Sequence, residues 1–137
     1  MTFVIDTNCL IFMLGLSEAK KNSSIEKFLL HLEEEKRFAD TLVAPKLIWY
    51  EFGQVLMKKT RFENLKSHQV NLAYEQFLKF SITTVDFTVG EYHEIFNLCG
   101  PLSYYDASYF FLAKKLSAQL VTNDRQLFTI AGDLAYQ

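Results

Sequence analysis

Four short apolar runs, separated by long stretches with helical periodicity, are the feature that most constrains the fold of this chain. These runs have the length and β-branched or aromatic content of buried strands, and they lie at residues 2–5, 41–44, 82–85 and 119–122. Strands joined through helices need crossover connections, so they pair in parallel with helices on both faces of the sheet. The pattern therefore predicts an α/β fold with a mostly parallel central sheet of four to five strands, in which residues 133–136 could form the fifth as a weak edge strand.

The stretches between the strands read as helices, because their apolar residues recur every three or four positions. The predicted helices cover residues 8–16, 20–39, 45–61, 64–80, 88–98 and 103–117, with a short last helix from 123. Pro45 suits the first turn of its helix. Thr88 with Glu91, and Ser103 with Asp106, have the spacing of capping boxes. Asp86 reads as a turn residue before the Thr88 cap.

Length and composition fit one compact globular unit. The 137 residues are half hydrophobic and 22% charged, which predicts a single domain over residues 1–137. Cys9 and Cys99 are too few for a disulfide scaffold, and the acid at position 6 argues against a secretory leader. No stretch is apolar enough to span a membrane, so we expect a cytoplasmic protein. A net charge of −2 argues against nucleic-acid binding by bulk charge alone.

Acidic residues follow the predicted strands, where open α/β sheets bind ligands. Asp6 follows the first strand, and Asp124 lies two residues after the fourth. Asp106 falls in the first turn of its helix, and Glu51 near the middle of the third helix. Each has an ordinary explanation, since the three aspartates could cap helices and Glu51 could face water. Together they would repel one another unless a cation neutralised them.

The identity of the cation follows from the ligand types. Carboxylates without nearby His or Cys favour Mg²⁺ or Mn²⁺ over Zn²⁺. His31, His68 and His93 all fall on predicted helices away from the strand ends. The sequence also lacks the motifs of P-loop nucleotide hydrolases, dinucleotide-dependent oxidoreductases and serine hydrolases.

Four segments together resemble the acidic motifs of PIN domains, most closely those of VapC-type ribonuclease toxins. They are VIDTN at 4–8, the helix that carries Glu51, YDASY at 105–109 and LVTNDR at 120–125. The resemblance implies a three-layer α/β/α Rossmann-like fold and endoribonuclease activity dependent on Mg²⁺ or Mn²⁺. It implies catalytic, metal-binding acids with two hydrogen-bonding helpers, and these are Asp6, Glu51, Asp106 and Asp124, with Asn8 and Thr122. It also implies an RNA substrate, a small antitoxin partner and a homodimer.

Two basic residues are candidates for binding the RNA backbone. Lys58 lies seven residues after Glu51, which returns it to the same helix face about 10 Å away. It also lies near the end of its helix, where a cation can simply offset the helix dipole. Arg125 directly follows Asp124 and could contact phosphate or form a surface ion pair.

Aromatic residues crowd the sequence around two of the acids and have two interpretations. They are Trp49, Tyr50, Phe52, Tyr104 and Tyr105. Such rings stack unpaired bases in RNA-binding proteins and anchor protein interfaces. The sequence leaves both interpretations open.

Two other functions remain as alternatives. In a phosphohydrolase resembling the haloacid dehalogenases, an Asp after the first strand is the nucleophile. That chemistry needs an acid where Asn8 stands, and an amide cannot act as a general acid. A non-catalytic module that binds RNA or protein would use the same acids only as helix caps.

Overall fold

The central sheet has four parallel strands in the order β3-β2-β1-β4. The protein is seen here in a computed structural model, which describes residues 1–17, 23–34 and 40–137. The strands are β1 (Thr2–Ile5), β2 (Thr41–Pro45), β3 (Thr83–Val85) and β4 (Gln119–Val121). The predicted α/β fold with a parallel central sheet is confirmed.

Helices connect the strands and pack on the sheet. They are α1 (Thr7–Met13), α2 (Ser24–Glu34), α3 (Ile48–Phe62), α4 (Ser67–Lys79), α5 (Val89–Leu98), α6 (Tyr104–Leu116) and α7 (Arg125–Ala131). The helix predicted over 20–39 corresponds to α2 in its middle, and residues 20–22 and 35–39 lie outside the described part of the chain. Among the described helices, none is long and apolar enough to cross a membrane.

The core lies on both faces of the sheet. Along β1, Phe3 and Ile5 join one apolar cluster while Val4 joins the other, as the alternation of side chains along a strand requires. The larger cluster surrounds α6, in which seven consecutive residues from Ala107 to Ala113 are buried. A helix buried on all sides holds its first turn in a fixed place at the edge of the sheet.

The start of α3 differs from the prediction at Pro45. This residue does not open the helix but ends β2, opposite Val85 in the register with β3. The pairing continues one residue further, since the Lys46 N–H donates to the Val85 carbonyl over 2.8 Å. The helix therefore begins at Ile48, and Glu51 lies in its first turn rather than near its middle.

The chain end also differs from the prediction. Residues Gly132–Leu134 form a short 3-10 helix, and the predicted edge strand at 133–136 is reduced to an isolated bridge between Leu120 and Ala135. Gly132 has a φ of +56°, a backbone conformation that ends α7 and that side-chain-bearing residues rarely adopt. The sheet therefore has four strands, the lower number of the four to five predicted, and the weak fifth edge strand does not form.

Helix capping follows the sequence closely at α5. The Thr88 hydroxyl accepts a hydrogen bond from the Glu91 N–H, and the Glu91 carboxylate accepts one from the Thr88 N–H. The predicted capping box is therefore confirmed there. At α6 the Ser103 hydroxyl accepts from the Asp106 N–H over 3.1 Å.

Candidate active site

A cleft of about 750 Å³ opens at the carboxyl edge of the sheet, where β1 ends and the first turns of α1, α3 and α6 converge. Three of the four predicted acids line it, namely Asp6, Glu51 and Asp106. Asp124 lies beside the cleft, outside its lining, at the start of α7. The spatial convergence that the sequence predicted at this edge is thus observed for three side chains directly.

Both oxygens of the Asp6 carboxylate are held by the protein. Oδ1 accepts a hydrogen bond of 2.8 Å from the Cys9 N–H, which caps α1. Oδ2 accepts one of 2.5 Å from the Thr122 hydroxyl, just after β4. Only 6% of Asp6 is exposed. Its carboxylate is therefore oriented by the first turn of α1 and by the residue that follows β4.

Thr122 also connects this carboxylate to the segment that carries Asp124. Its hydroxyl oxygen accepts a hydrogen bond of 3.1 Å from the Asp124 N–H. The Asp124 carboxylate in turn accepts from the Leu127 N–H over 2.8 Å and caps α7. The capping roles considered for Asp6 and Asp124 are both real, and each uses Oδ1 of its carboxylate.

Glu51 is held by two neutral hydroxyl groups. Its Oε1 accepts hydrogen bonds from the Tyr109 hydroxyl at 2.7 Å and from the Thr7 hydroxyl at 3.0 Å. Tyr109 and Thr7 are buried, and they lie on α6 and α1 respectively. Burial and the neighbouring Glu51 carboxylate raise the pKa of Tyr109 far above its usual value, so it remains a donor.

The acids of the cleft raise one another's proton affinity. Burial raises the pKa of Asp6 to about 6, against the hydrogen bonds from Thr122 and Cys9, and the charges of Asp106 and Glu51 add to the increase. Burial also raises the pKa of Glu51, with a further contribution from Asp106.

The electrostatic coupling extends to the fourth acid. Burial and the charge of Asp124 raise the pKa of Asp106, while its hydrogen bond with Ser103 partly offsets the increase. None of the described side chains that line the cleft is basic. The charge of the cleft is therefore left for a bound cation to neutralise.

The ligand chemistry fits a hard divalent cation, which prefers oxygen ligands and commonly takes one or two carboxylates plus water and phosphate oxygens. The spacing does not form a complete cage: within residues 1–17, 23–34 and 40–137, no three His, Cys, Asp or Glu side chains are close enough together to ligate one ion. The residues therefore fit an open site that a substrate completes, rather than a closed structural metal site.

Comparison with known proteins identifies the family of this fold. The family model of the PIN domain matches residues 3–133, nearly the whole chain. The chain belongs to the PIN domain family. It is also similar in structure to PAE2754 from Pyrobaculum aerophilum, with a TM-score of 0.68 and 20% identity over 98% of this chain and 82% of that chain. Comparison with curated proteins finds no significant match.

Membership of the PIN domain family indicates a nuclease, and this agrees with an acidic cleft that is open to solvent. The remaining predicted residues of this PIN domain lie around the cleft. Asn8 is exposed and lines it. Lys58 is exposed on α3, one turn beyond the cleft-lining Gln54 and Val55. Arg125 is exposed at the first position of α7, next to Asp124.

The aromatic residues of the PIN domain divide between core and cleft. Trp49 stacks on Phe77 with ring centres 4.1 Å apart, and Phe52 is buried against the same ring. Tyr50 and Tyr105 line the cleft and are 81% and 60% exposed. Base stacking is therefore open to the two tyrosines and closed to Trp49 and Phe52.

Sequence reasoning missed the two residues that hold Glu51. Tyr109 lies three positions after Asp106 and so occupies the same face of α6 one turn later. Thr7 is directly adjacent to Asp6. Both lie inside the segments that carry the family resemblance, and that position was the one signal that could have found them.

Proposed function

We propose that this protein is an endoribonuclease that hydrolyses RNA phosphodiester bonds with Mg²⁺ or Mn²⁺. The observation that carries the proposal is the meeting of Asp6, Glu51 and Asp106 in one cleft of a PIN domain, without a basic side chain among the described lining residues. Carboxylates that cluster in a cleft indicate a functional site rather than a contribution to folding, because they bind a cation that can in turn bind an anionic substrate.

One or two of the carboxylates of Asp6, Glu51 and Asp106 would bind the cation, and water and phosphate oxygens would complete its coordination. Asp124 lies at the border of the cleft. A bound divalent ion would acidify water and offset the charge that develops on the phosphate. Hydrogen bonds within the protein orient the carboxylates that would bind the ion. Thr122 fixes Asp6, and both hydroxyls at Glu51 donate to Oε1 and neither to Oε2.

The finer proposal is that the nuclease is the toxin of a type II toxin–antitoxin pair, acting as a homodimer. Exposed apolar side chains support a protein partner: Val89 and Phe96, seven residues apart on one face of α5, are 86% and 68% exposed. An acidic cleft could also accept a basic side chain from an antitoxin. The same proposal follows from the resemblance to VapC-type toxins.

The phosphohydrolase alternative gains no support from the cleft. Its chemistry needs a second acid two residues after Asp6, and the structure places the amide of Asn8 in the cleft lining. An amide there cannot donate a proton to a leaving group as a carboxylic acid does.

The test is incubation of the purified protein with structured RNA in Mg²⁺, in Mn²⁺ and in EDTA. We expect internal cuts that require the metal and disappear in the Asp6→Asn protein. Asp133→Asn is the matched control, because Asp133 is exposed on the short 3-10 helix at the chain end. Binding without cleavage would contradict the proposal in favour of a binding module, and phosphate release from a phosphomonoester would favour the phosphohydrolase.

A further inference from the structure

A second, smaller cavity of about 140 Å³ lies beside the acidic cleft, at the carboxyl ends of β2 and β3. Leu47 and Tyr105 line both cavities, so the two cavities share a boundary formed by these side chains. The walls of the smaller cavity include two more tyrosines, Tyr92 and Tyr104, and Lys46. Nothing in the proposed metal chemistry uses this cavity.

Hydrogen bonds fix two of its three tyrosines. The Tyr104 hydroxyl donates to the Tyr92 carbonyl over 3.0 Å, and the Tyr92 hydroxyl donates to Asp86 over 3.0 Å. The Tyr92 ring also packs edge-to-face on Phe87, with ring centres 5.6 Å apart. Tyr105 is 60% exposed at the boundary with the cleft. The rings of Tyr92 and Tyr104 thus form a fixed aromatic wall of the cavity, and the ring of Tyr105 is accessible at its boundary with the cleft.

The size of the cavity limits what can enter. Sites for whole small molecules are roughly 300–1,000 Å³, and this one holds about 140 Å³. It has room for a single planar ring system and excludes a base pair. Because it adjoins the cleft at Leu47 and Tyr105, an occupant of this size fits as one part of a longer ligand that also reaches the acids.

The charge at the cavity complements a nucleotide. Lys46 is exposed and follows β2 directly, and its charge helps to lower the pKa of Asp86, after the hydrogen bonds from Phe87 and Tyr92. A cation at this position can contact a backbone phosphate. The cavity therefore combines aromatic rings for a base with a positive group for the backbone, outside the ring of carboxylates.

We propose that this cavity binds one unpaired nucleobase of the RNA strand, stacked on Tyr105, with Lys46 on a neighbouring phosphate. The inference rests on the proposed ribonuclease function and adds a subsite to it. A base in a duplex is stacked and paired and cannot enter, so the subsite selects single-stranded segments next to the cleavage point.

Binding without cleavage tests the subsite separately from catalysis. A fluorescent, unstructured RNA decamer and its perfect duplex are titrated with the full chain in EDTA, and anisotropy is recorded. We expect Tyr105→Ala to weaken single-strand binding about fivefold to a hundredfold, the usual effect of losing one base–aromatic stack. Tyr105→Phe keeps the ring face and should stay within about twofold of the unaltered protein.

The controls distinguish loss of the subsite from the effect of removing any exposed aromatic side chain. Phe62→Ala removes a ring that is 80% exposed at the end of α3 and should leave RNA binding unchanged. Lys46→Ala should weaken binding and reduce the slope of the logarithm of the binding constant against the logarithm of salt concentration by about one. Thermal unfolding of each variant checks that it is folded.

Three results would overturn the subsite. The unaltered chain could fail to bind the single strand, or the Tyr105→Ala and Phe62→Ala proteins could bind it equally well. In the third, Tyr105→Ala weakens binding of the duplex as much as binding of the single strand. Equal binding would leave a partner protein as the occupant of the cavity. Cleavage is measured separately in Mn²⁺. A protein that binds RNA through Tyr105 but does not cut it would therefore contradict the proposed function and leave the base-binding subsite intact.

Discussion

The carboxylates at the two edges of the sheet have opposite electrostatic surroundings. At the amino edge, before β2, the Asp40 carboxylate contacts His31 Nε2 at 2.8 Å and the N-terminal amino group at 3.4 Å. At the carboxyl edge, Asp6 and Glu51 receive hydrogen bonds only from neutral donors in the described part of the chain, and Asp106 adds a further negative charge. At the amino edge, Asp40 is paired with basic groups of the protein itself. At the carboxyl edge, the charge of the acids is left for a bound ligand to neutralise.

This difference separates structural acids from functional ones. Paired carboxylates lower the free energy of the folded state, whereas clustered carboxylates raise it unless something binds. Perturbed proton affinity in a cleft is a recognised sign of a functional site. We therefore expect substitutions at the carboxyl edge to affect activity and substitutions at the amino edge to affect stability.

The largest effect is expected at Asp106. Replacing it with Asn should lower RNA cleavage by at least about 10²–10³-fold, comparable to losing one strong electrostatic contact in an active site. The folded state should be no less stable, because the change removes repulsion with Asp124 and Glu51. Cleavage rates and urea unfolding of the same protein check both halves of this prediction. Near-normal cleavage would remove the functional interpretation of this edge.

The next effect is a dependence of stability on pH. The native pKa of Asp6 is about 6, above its unfolded value of 3.8, so the folded state holds the proton more tightly. Its contribution to stability is largest below pH 4 and is lost as the pH rises through 6. The loss is about 3 kcal/mol from the difference of the two values.

Urea unfolding at several pH values, compared with the Asp6→Asn protein, isolates this contribution. The comparison is needed because other carboxylates titrate in the opposite sense: hydrogen bonds lower the pKa of Asp86 and Glu91. Mn²⁺ should flatten the slope, because it stabilises the ionised cluster. An identical slope in both proteins would show that Asp6 is not the group that titrates.

A smaller effect is expected when the support of Glu51 is weakened. Tyr109→Phe removes the 2.7 Å hydrogen bond to Oε1 but keeps the buried ring. Cleavage should fall about 10- to 100-fold, as when the support of a metal ligand is lost. Stability should change by only about 1 kcal/mol.

The matched control is Tyr136→Phe, which removes a hydroxyl on the opposite face of the sheet, where the Tyr136 ring contacts Phe3 and Phe28. Its cleavage should equal that of the unaltered protein. Equal activity of the two variants would mean that the hydrogen bond at Glu51 has no role in orientation.

The smallest effect is expected at the amino edge. Asp40→Asn removes the charge facing His31 and should lower the free energy of unfolding by about 1 kcal/mol. Cleavage should not change, because the cleft lies at the far ends of the strands. A loss of activity without loss of stability would end the division between the two edges.

The strands could be predicted from the sequence because each is a compact apolar run between polar segments. β1 and β4 fall within one residue of their predicted bounds. The start of α3 was missed because proline is compatible both with a strand end and with a first helical turn. The choice depends on the hydrogen bond between Lys46 and Val85, which lies on β3 and is distant in sequence.

The site was predictable only at the level of its acids. Parallel topology brings strand ends together, so the carboxylates that follow β1 and β4 could be placed at one edge. The partners of Glu51 could not be placed, because Thr7 and Tyr109 are 44 and 58 residues away from it. The cavity beside Lys46 depends in the same way on the packing of β3 and α5 against α6, which no local pattern records.

The hydroxyl of Thr122 has a consequence for how the cleft responds to its first ligand. It donates to Asp6 and accepts from the backbone of Asp124, so a single side chain connects two acids from opposite ends of the sequence. A rotation of the Asp6 carboxylate toward a bound ion would strain or break the hydrogen bond from Thr122, and the backbone of Asp124 would lose or shift its own partner. Binding of an ion at Asp6 would thus affect the position of Asp124 at the start of α7. In a Thr122→Val protein, which lacks the hydroxyl, the two acids would move independently.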